Sequence, residues 1–147
     1  MIEQIISTFS SLLLKACDRY AKEQFVKKEN IQIRFGLNHE NEMRLTICKD
    51  RVAIRDEELG QIMGLKYLGG VPLVYGQNAF VLGAAPPFIT KTLLGLCEEH
   101  SIEPLKIFIY AGVLPDGRLR LYLSNFDAYV CDMSLMKLVT GADAETE

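Results

Sequence analysis

The chain has 147 residues and a mass of 16.6 kDa, and its 49% hydrophobic and 24% charged residues are those of one ordinary globular domain, which excludes a disordered polypeptide. At this length a core can form without disulfide or metal staples, and a formal charge of −3 with a pI near 5.5 argues against a protein whose main business is neutralising phosphates. Cys17, Cys48, Cys97 and Cys131 lie far apart in apolar segments, with no Cys-x-x-Cys pair and only His39 and His100 for company. That pattern predicts free buried thiols, no metal centre and no cofactor.

The first element is a helix. Ile2, Ile5, Ile6, Phe9, Leu12, Leu13, Ala16, Cys17 and Tyr20 follow helical spacing, with polar residues between them, to about Lys27. Leu14-Lys15-Ala16-Cys17 resembles a lipoprotein cleavage site, but Lys15 interrupts the small-residue positions and Glu3 stands where a basic start is needed. No other segment approaches about 20 unbroken apolar residues, so the expectation is a soluble cytoplasmic protein without a membrane association.

Ile31, Ile33, Phe35 and Leu37 alternate with polar residues and Gly36, and Met43, Leu45 and Ile47 repeat the alternation after a polar turn. They predict an antiparallel hairpin over 31–48, with Val52 and Ile54 offering a short third strand. Asp56, followed by Glu57 and Glu58, reads as the N-cap of a short helix reaching Met63. Residues 60–90 then carry one charge, Lys66, and six glycines. Val71–Tyr75 and Ala79–Leu82 read as a second hairpin over 71–83, turned at Gly76-Gln77-Asn78, and the stretch is either core or a surface that a partner covers.

Pro87 suits the first position of a helix over 87–100, with Phe88, Ile89, Leu93, Leu96 and Cys97 as its apolar face. A third hairpin, 106–124, turns at Leu114-Pro115-Asp116-Gly117, and Met133–Thr140 forms a final short helix. The fold class is therefore α+β: an antiparallel sheet of hairpins covered on one face by the long N-terminal helix and the 87–100 helix. Residues 1–140 form one domain and 141–147 an acidic, loose tail. Helix-then-hairpin occurs twice, but the two copies share little identity and are not read as a repeat.

Chemical motifs are few. Gly83-Ala-Ala-Pro-Pro reads as a strand-to-helix turn, and its prolines remove backbone donors that a phosphate cradle would need. Thr90, Lys91 and Thr92 on the first turns keep an anion site in view. Cys97 and His100 are spaced i to i+3 with nothing beside them to orient a base, and the carboxylates at 56–58 and 98–99 suit helix ends. No catalytic residue is assigned.

Strand alternation gives the most informative constellation. With Ile33, Leu45, Ile107, Ile109, Leu119 and Leu121 in the core, Arg34, Arg44, Phe108, Tyr110, Arg118, Arg120 and Tyr122 share the opposite face. Arginine and aromatic side chains together characterise protein interfaces, and also single-stranded nucleic-acid platforms, which the negative charge disfavours.

These features favour a small cytoplasmic, non-catalytic protein-binding module of adaptor, chaperone-like or inhibitor/immunity type. It acts through that face or the glycine-rich apolar segment, with another protein and a second copy of itself as partners. A binder or enzyme for small anions at the 83–92 turn, and nucleic-acid binding by the arginine face, are the alternatives. The element order, size and acidic balance are compatible with the small dimeric chaperones of bacterial secretion systems at the level of topology, without a diagnostic motif; their long polar-faced final helix is not evident here.

Overall fold

The N-terminal stripe forms α1 (Ile2–Gln24), which buries Phe9, Leu13, Ala16, Cys17, Tyr20 and Ala21 in a computed structural model that describes residues 2–141. The helix stops before Lys27 because Phe25 takes a left-handed conformation. Its amide bonds to Lys22 O and that of Val26 to Ala21 O, the double bond of a Schellman ending.

The chain then builds β1 (Ile31–Leu37), β2 (Met43–Lys49) and β3 (Val52–Glu57), so the third strand of the first meander is present. Asp50 and Arg51 both take positive φ in the β2–β3 turn, the geometry of a two-residue hairpin. Asp56 is not a helix cap. It pairs with Thr46 inside β3, and the N-cap of α2 (Leu59–Ile62) is Glu58, whose amide bonds to Gln61 Oε1 at 2.9 Å.

The expected 71–83 hairpin is absent. Val71–Pro72 (β5) pairs backwards with Tyr67–Leu68 (β4) around Gly69-Gly70, both at positive φ, and the residues from 77 onward are helical. Helix α3 (Gln77–His100) runs straight through Pro86 and Pro87. Val81, Ala85, Ile89 and Leu93 at four-residue steps, followed by Leu96 and Cys97 three and four residues on, are all buried along it. That stripe against α1 and the sheet offsets the ladder bonds that two prolines remove. The helix Asn78–His100 is also long and apolar enough to cross a membrane, with a mean hydropathy of 1.5 and 39% of that window buried inside the protein.

A second meander follows: β6 (Ile107–Val113), β7 (Leu119–Asn125) and β8 (Ala128–Met133), then α4 (Leu135–Thr140), capped by Ser134 Oγ on the Lys137 amide. The strands form one antiparallel sheet in the order β3-β2-β1-β6-β7-β8. Helices α1, α3 and α4 lie on one face, where Phe9 meets Phe35 edge-on at 6.3 Å. Of the acidic tail expected over 141–147, Gly141 is instead the left-handed C-cap of α4, its amide bonded to Lys137 O, and residues 142–147 lie outside the described residues.

The two halves are a structural repeat, contrary to the reading from sequence. Strands β1 and β6, β2 and β7, and β3 and β8 begin 76 residues apart; α2 and α4 begin, and α1 and α3 end, at the same offset. The pairing irregularities fall at Ile47/Cys48 and Leu123/Ser124, again 76 apart, and left-handed Phe25 and Asp50 recur as Ser101 and Phe126. At this offset the strands keep Ile31/Ile107, Ile33/Ile109, Gly36/Gly112, Arg44/Arg120, Leu45/Leu121 and Asp56/Asp132. The meanders meet at β1 and β6 about a pseudo-two-fold axis. Arg34 stands opposite Tyr110, its own counterpart, so the axis passes through that pair.

Candidate functional site: the open face of the sheet

Alternation along the strands carries one row of side chains across all six. Asp56, Thr46, Arg34, Tyr110, Tyr122 and Asp132 stand side by side, each opposite the next, on the face without helices. Phe108, Arg44, Arg120 and Tyr129 flank the row. Six of the seven face residues expected from sequence thus come together. Arg118 does not join them: it is exposed in the β6–β7 turn, where its Nε reaches Asp116 Oδ2 at 2.6 Å.

The aromatic rings form a ladder in the second half. Phe108 lies 6.2 Å from Tyr110, Tyr110 stacks on Tyr122 at 5.3 Å, and Tyr122 lies 5.8 Å from Tyr129. The Arg34 guanidinium sits 4.2 Å from the Phe108 ring centroid, and that of Arg120 4.9 Å from Tyr122. Although it faces outward, Tyr110 is only 4% exposed because its neighbours cover it, and burial raises its pKa. In the first half the equivalent positions hold Gln32, Arg34, Thr46 and Ala53, so the open face has one polar and one aromatic side.

Its charges are arranged by the repeat. Arg44 Nε donates to Asp56 Oδ2 at 2.8 Å, and at the equivalent place Arg120 Nη2 donates to Asp132 Oδ1 at 2.9 Å. Burial pushes the Asp56 carboxyl up, but hydrogen bonds from Arg44 and Thr46 outweigh it and hold the pKa low. Asp132 is held low by Arg120 and by the Tyr129 hydroxyl. Among the described residues no carboxylate pairs with Arg34, so the three arginines and two aspartates of the row and its flanks leave one positive charge there.

A groove of about 620 Å³ opens at one end of the face over Gln32 and Gly112, lined by Leu114 and Pro115, by Arg120, Tyr122 and Tyr129, and by the charged side chains of Glu29, Asp50 and Arg51. The sequence reading missed Asp56, Gly112, Tyr129 and Asp132 as members of the face. Strand β8 was not expected, and the register shift opposite Leu123/Ser124 breaks its alternation at Val130, so that Tyr129 and Asp132 both reach the open face.

The other candidates fare differently. Thr90, Lys91 and Thr92 do not open a helix: they lie inside α3, about three and a half turns beyond its start, so the 83–92 turn and its N-terminal anion cradle do not exist. Thr90 Oγ1 donates to Pro86 O at 2.9 Å, while Lys91 and Thr92 line a groove of about 340 Å³ between α3 and α4 with Lys137 and Glu99. Burial raises the Cys97 pKa, which disfavours its thiolate, and His100 Nε2 lies 3.1 Å from Glu99 Oε2. Among the described residues no group of three or more His, Cys, Asp or Glu could hold a metal ion.

The uncharged central stretch is largely surface. Leu68, Val71, Tyr75, Phe80 and Phe88 are each more than half exposed, so the alternative of a deep core does not hold for them.

The fold and the site together define an α+β protein with a six-stranded antiparallel sheet, one face covered by helices and the other an open aromatic and arginine surface. No family model, curated protein or solved structure matches the chain.

Proposed function

We propose that this protein is a small, cytoplasmic, non-catalytic protein-binding module that engages a partner protein on the open face of its sheet. The observation that carries the reading is the continuous row from Asp56 to Asp132, with Phe108 and Tyr129 beside it. Tyrosine and arginine are the side chains that dominate binding energy at protein interfaces. Nucleic acid fits less well, because Asp56 and Asp132 neutralise two of the three face arginines and a strand of phosphates needs a series of cations.

Self-association belongs to the same reading. The exposed apolar side chains from Leu68 to Phe88 lie in a stretch with no charged residue between Lys66 and Lys91, so two copies can meet there without like-charge repulsion. A stable interface of this kind buries on the order of 1,000 Å² or more.

The test is affinity capture from native lysate by the tagged protein and by a Tyr122→Ala variant, with folding verified by circular dichroism and mass measured by light scattering. The reading expects a defined protein captured by the parent and lost by the variant, and a Phe80→Glu variant that becomes monomeric while still capturing it. Capture that Tyr122→Ala leaves unchanged removes the open face from the account.

A further inference from the structure

The repeat supplies an internal template for what fills the groove. Gly36 and Gly112 are equivalent strand positions on the open face, and the residue across from each is the counterpart of the other's neighbour: Phe108 beside Gly36, Gln32 beside Gly112. At Gly36 the space above the backbone is occupied. A Cβ placed there would meet Phe108 Cδ1 at 3.1 Å, and Gly36 is buried beneath that ring. At Gly112 the nearest side-chain atom is Gln32 Cγ at 3.6 Å, Gly112 is half-exposed, and the groove of about 620 Å³ opens above it.

The groove is thus the site in the second half that a phenylalanine fills in the first. Part of its lining suits a ring: Tyr122 and Tyr129 are aromatic, Leu114 and Pro115 are apolar, and Arg120 brings a guanidinium as Arg34 does for Phe108, while Glu29, Asp50 and Arg51 supply the charged remainder.

We propose that the Gly112 groove receives an aromatic side chain of the partner protein, seated over Gly112 as Phe108 is seated over Gly36. This rests on the reading of the open face as a protein-binding surface and names the group the partner inserts there. The pseudo-two-fold axis sets a second feature. Arg34, the face arginine without a carboxylate, lies two residues along and one strand over from Gly112, roughly 8 Å away by sheet geometry. An extended partner strand repeats same-face side chains about every 6.8 Å, so a carboxylate two residues from the ring reaches Arg34.

The probes are three capped hexapeptides of otherwise identical sequence, carrying Asp-Thr-Phe, Asp-Thr-Ala or Asn-Thr-Phe, titrated into the ¹⁵N-labelled full chain. The Asp-Thr-Phe peptide is expected to shift the amides of Gly112, Tyr122 and Tyr129. The phenylalanine-to-alanine probe should bind at least tenfold more weakly and the asparagine probe several-fold more weakly. Gln32→Phe installs the ring that the first half already has, so it should fold normally and abolish the shifts; Gly112→Val blocks the floor independently. An Asp-Thr-Phe peptide that binds Gln32→Phe and the parent equally well, or that shifts nothing at millimolar concentration, overturns the proposal. Lysate capture separates the two levels: capture lost in Tyr122→Ala but retained in Gln32→Phe sinks the aromatic insertion alone, whereas capture retained in both sinks the binding face as well.

Discussion

Alanine at Gly36 and alanine at Gly112 make opposite demands on one sheet. Both positions are interior strand glycines on the open face, neither at positive φ, so replacing either recovers about 0.5–1 kcal/mol of backbone entropy. At Gly112 the new methyl meets Ile31 O at 3.5 Å and Gln32 Cγ at 3.6 Å, ordinary van der Waals contacts, and the recovered entropy stands. At Gly36 it meets Ile107 O at 3.3 Å and Phe108 Cδ1 at 3.1 Å. The carbonyl belongs to a ladder and cannot retreat, and moving the ring disturbs its contact with Arg34. Overpacking of this kind costs about 1–3 kcal/mol. Gly36→Ala should therefore be about 1–2 kcal/mol less stable than the parent, and Gly112→Ala equal to it or up to about 1 kcal/mol more stable. The difference of about 2 kcal/mol is some 4–8 °C in Tm for a chain of this size. Urea denaturation followed by circular dichroism reads it as a shift in midpoint at constant slope. Gly36→Ala matching or exceeding Gly112→Ala would refute the assignment of Phe108 to the space over Gly36.

Three further outcomes follow from other parts of the molecule. Pro87→Ala restores an amide to the middle of α3 and should stabilise the protein by about 1–3 kcal/mol in urea; no gain would place the helix start at Pro87 after all. Burial pushes the Cys17 thiol from an ordinary value of 9.0 up to about 12, so the folded state keeps a proton that the unfolded chain gives up above pH 9. Stability should then fall as pH rises through that window, by roughly 1 kcal/mol at pH 10, and Cys17→Ala, though less stable throughout, should lose this contribution to the slope. Asp132 lies below its ordinary 3.8, so its contribution is present above that pH and lost on acidification. Because the pair is well exposed, Asp132→Asn should flatten the acid limb of a Tm-against-pH curve by under about 1 kcal/mol, and an unchanged limb would remove its link to Arg120.

Much of the sheet was legible because its strands alternate cleanly. Ile31, Ile33 and Phe35, and Ile107 and Ile109, mark a half-buried strand by period two, and the same period puts Arg34, Tyr110 and Tyr122 on one face. The central segment was misread for an equally physical reason. Ala79–Leu82 is a short continuous apolar run, which periodicity cannot assign to helix or strand, and a proline pair is a strong stop signal. The stripe Val81, Ala85, Ile89 and Leu93 crosses the prolines at four-residue steps, and burial of that stripe outweighs the local penalty. The repeat stayed hidden because packing constrains residue class more than identity: Phe9 and Ala85 occupy equivalent helix positions and both are buried. Only the strands keep enough shared residues to see it, and only once the 76-residue offset is known.

The central claim is that the open face binds a protein, and a photo-reactive phenylalanine placed at Tyr129 on that face or at Glu98 on the exposed side of α3 tests it most directly. Irradiation in cells should give one discrete protein adduct from position 129, lost when Tyr122→Ala is added, and none of that mass from position 98. An adduct of the same mass from position 98, or its absence from position 129, would contradict the account.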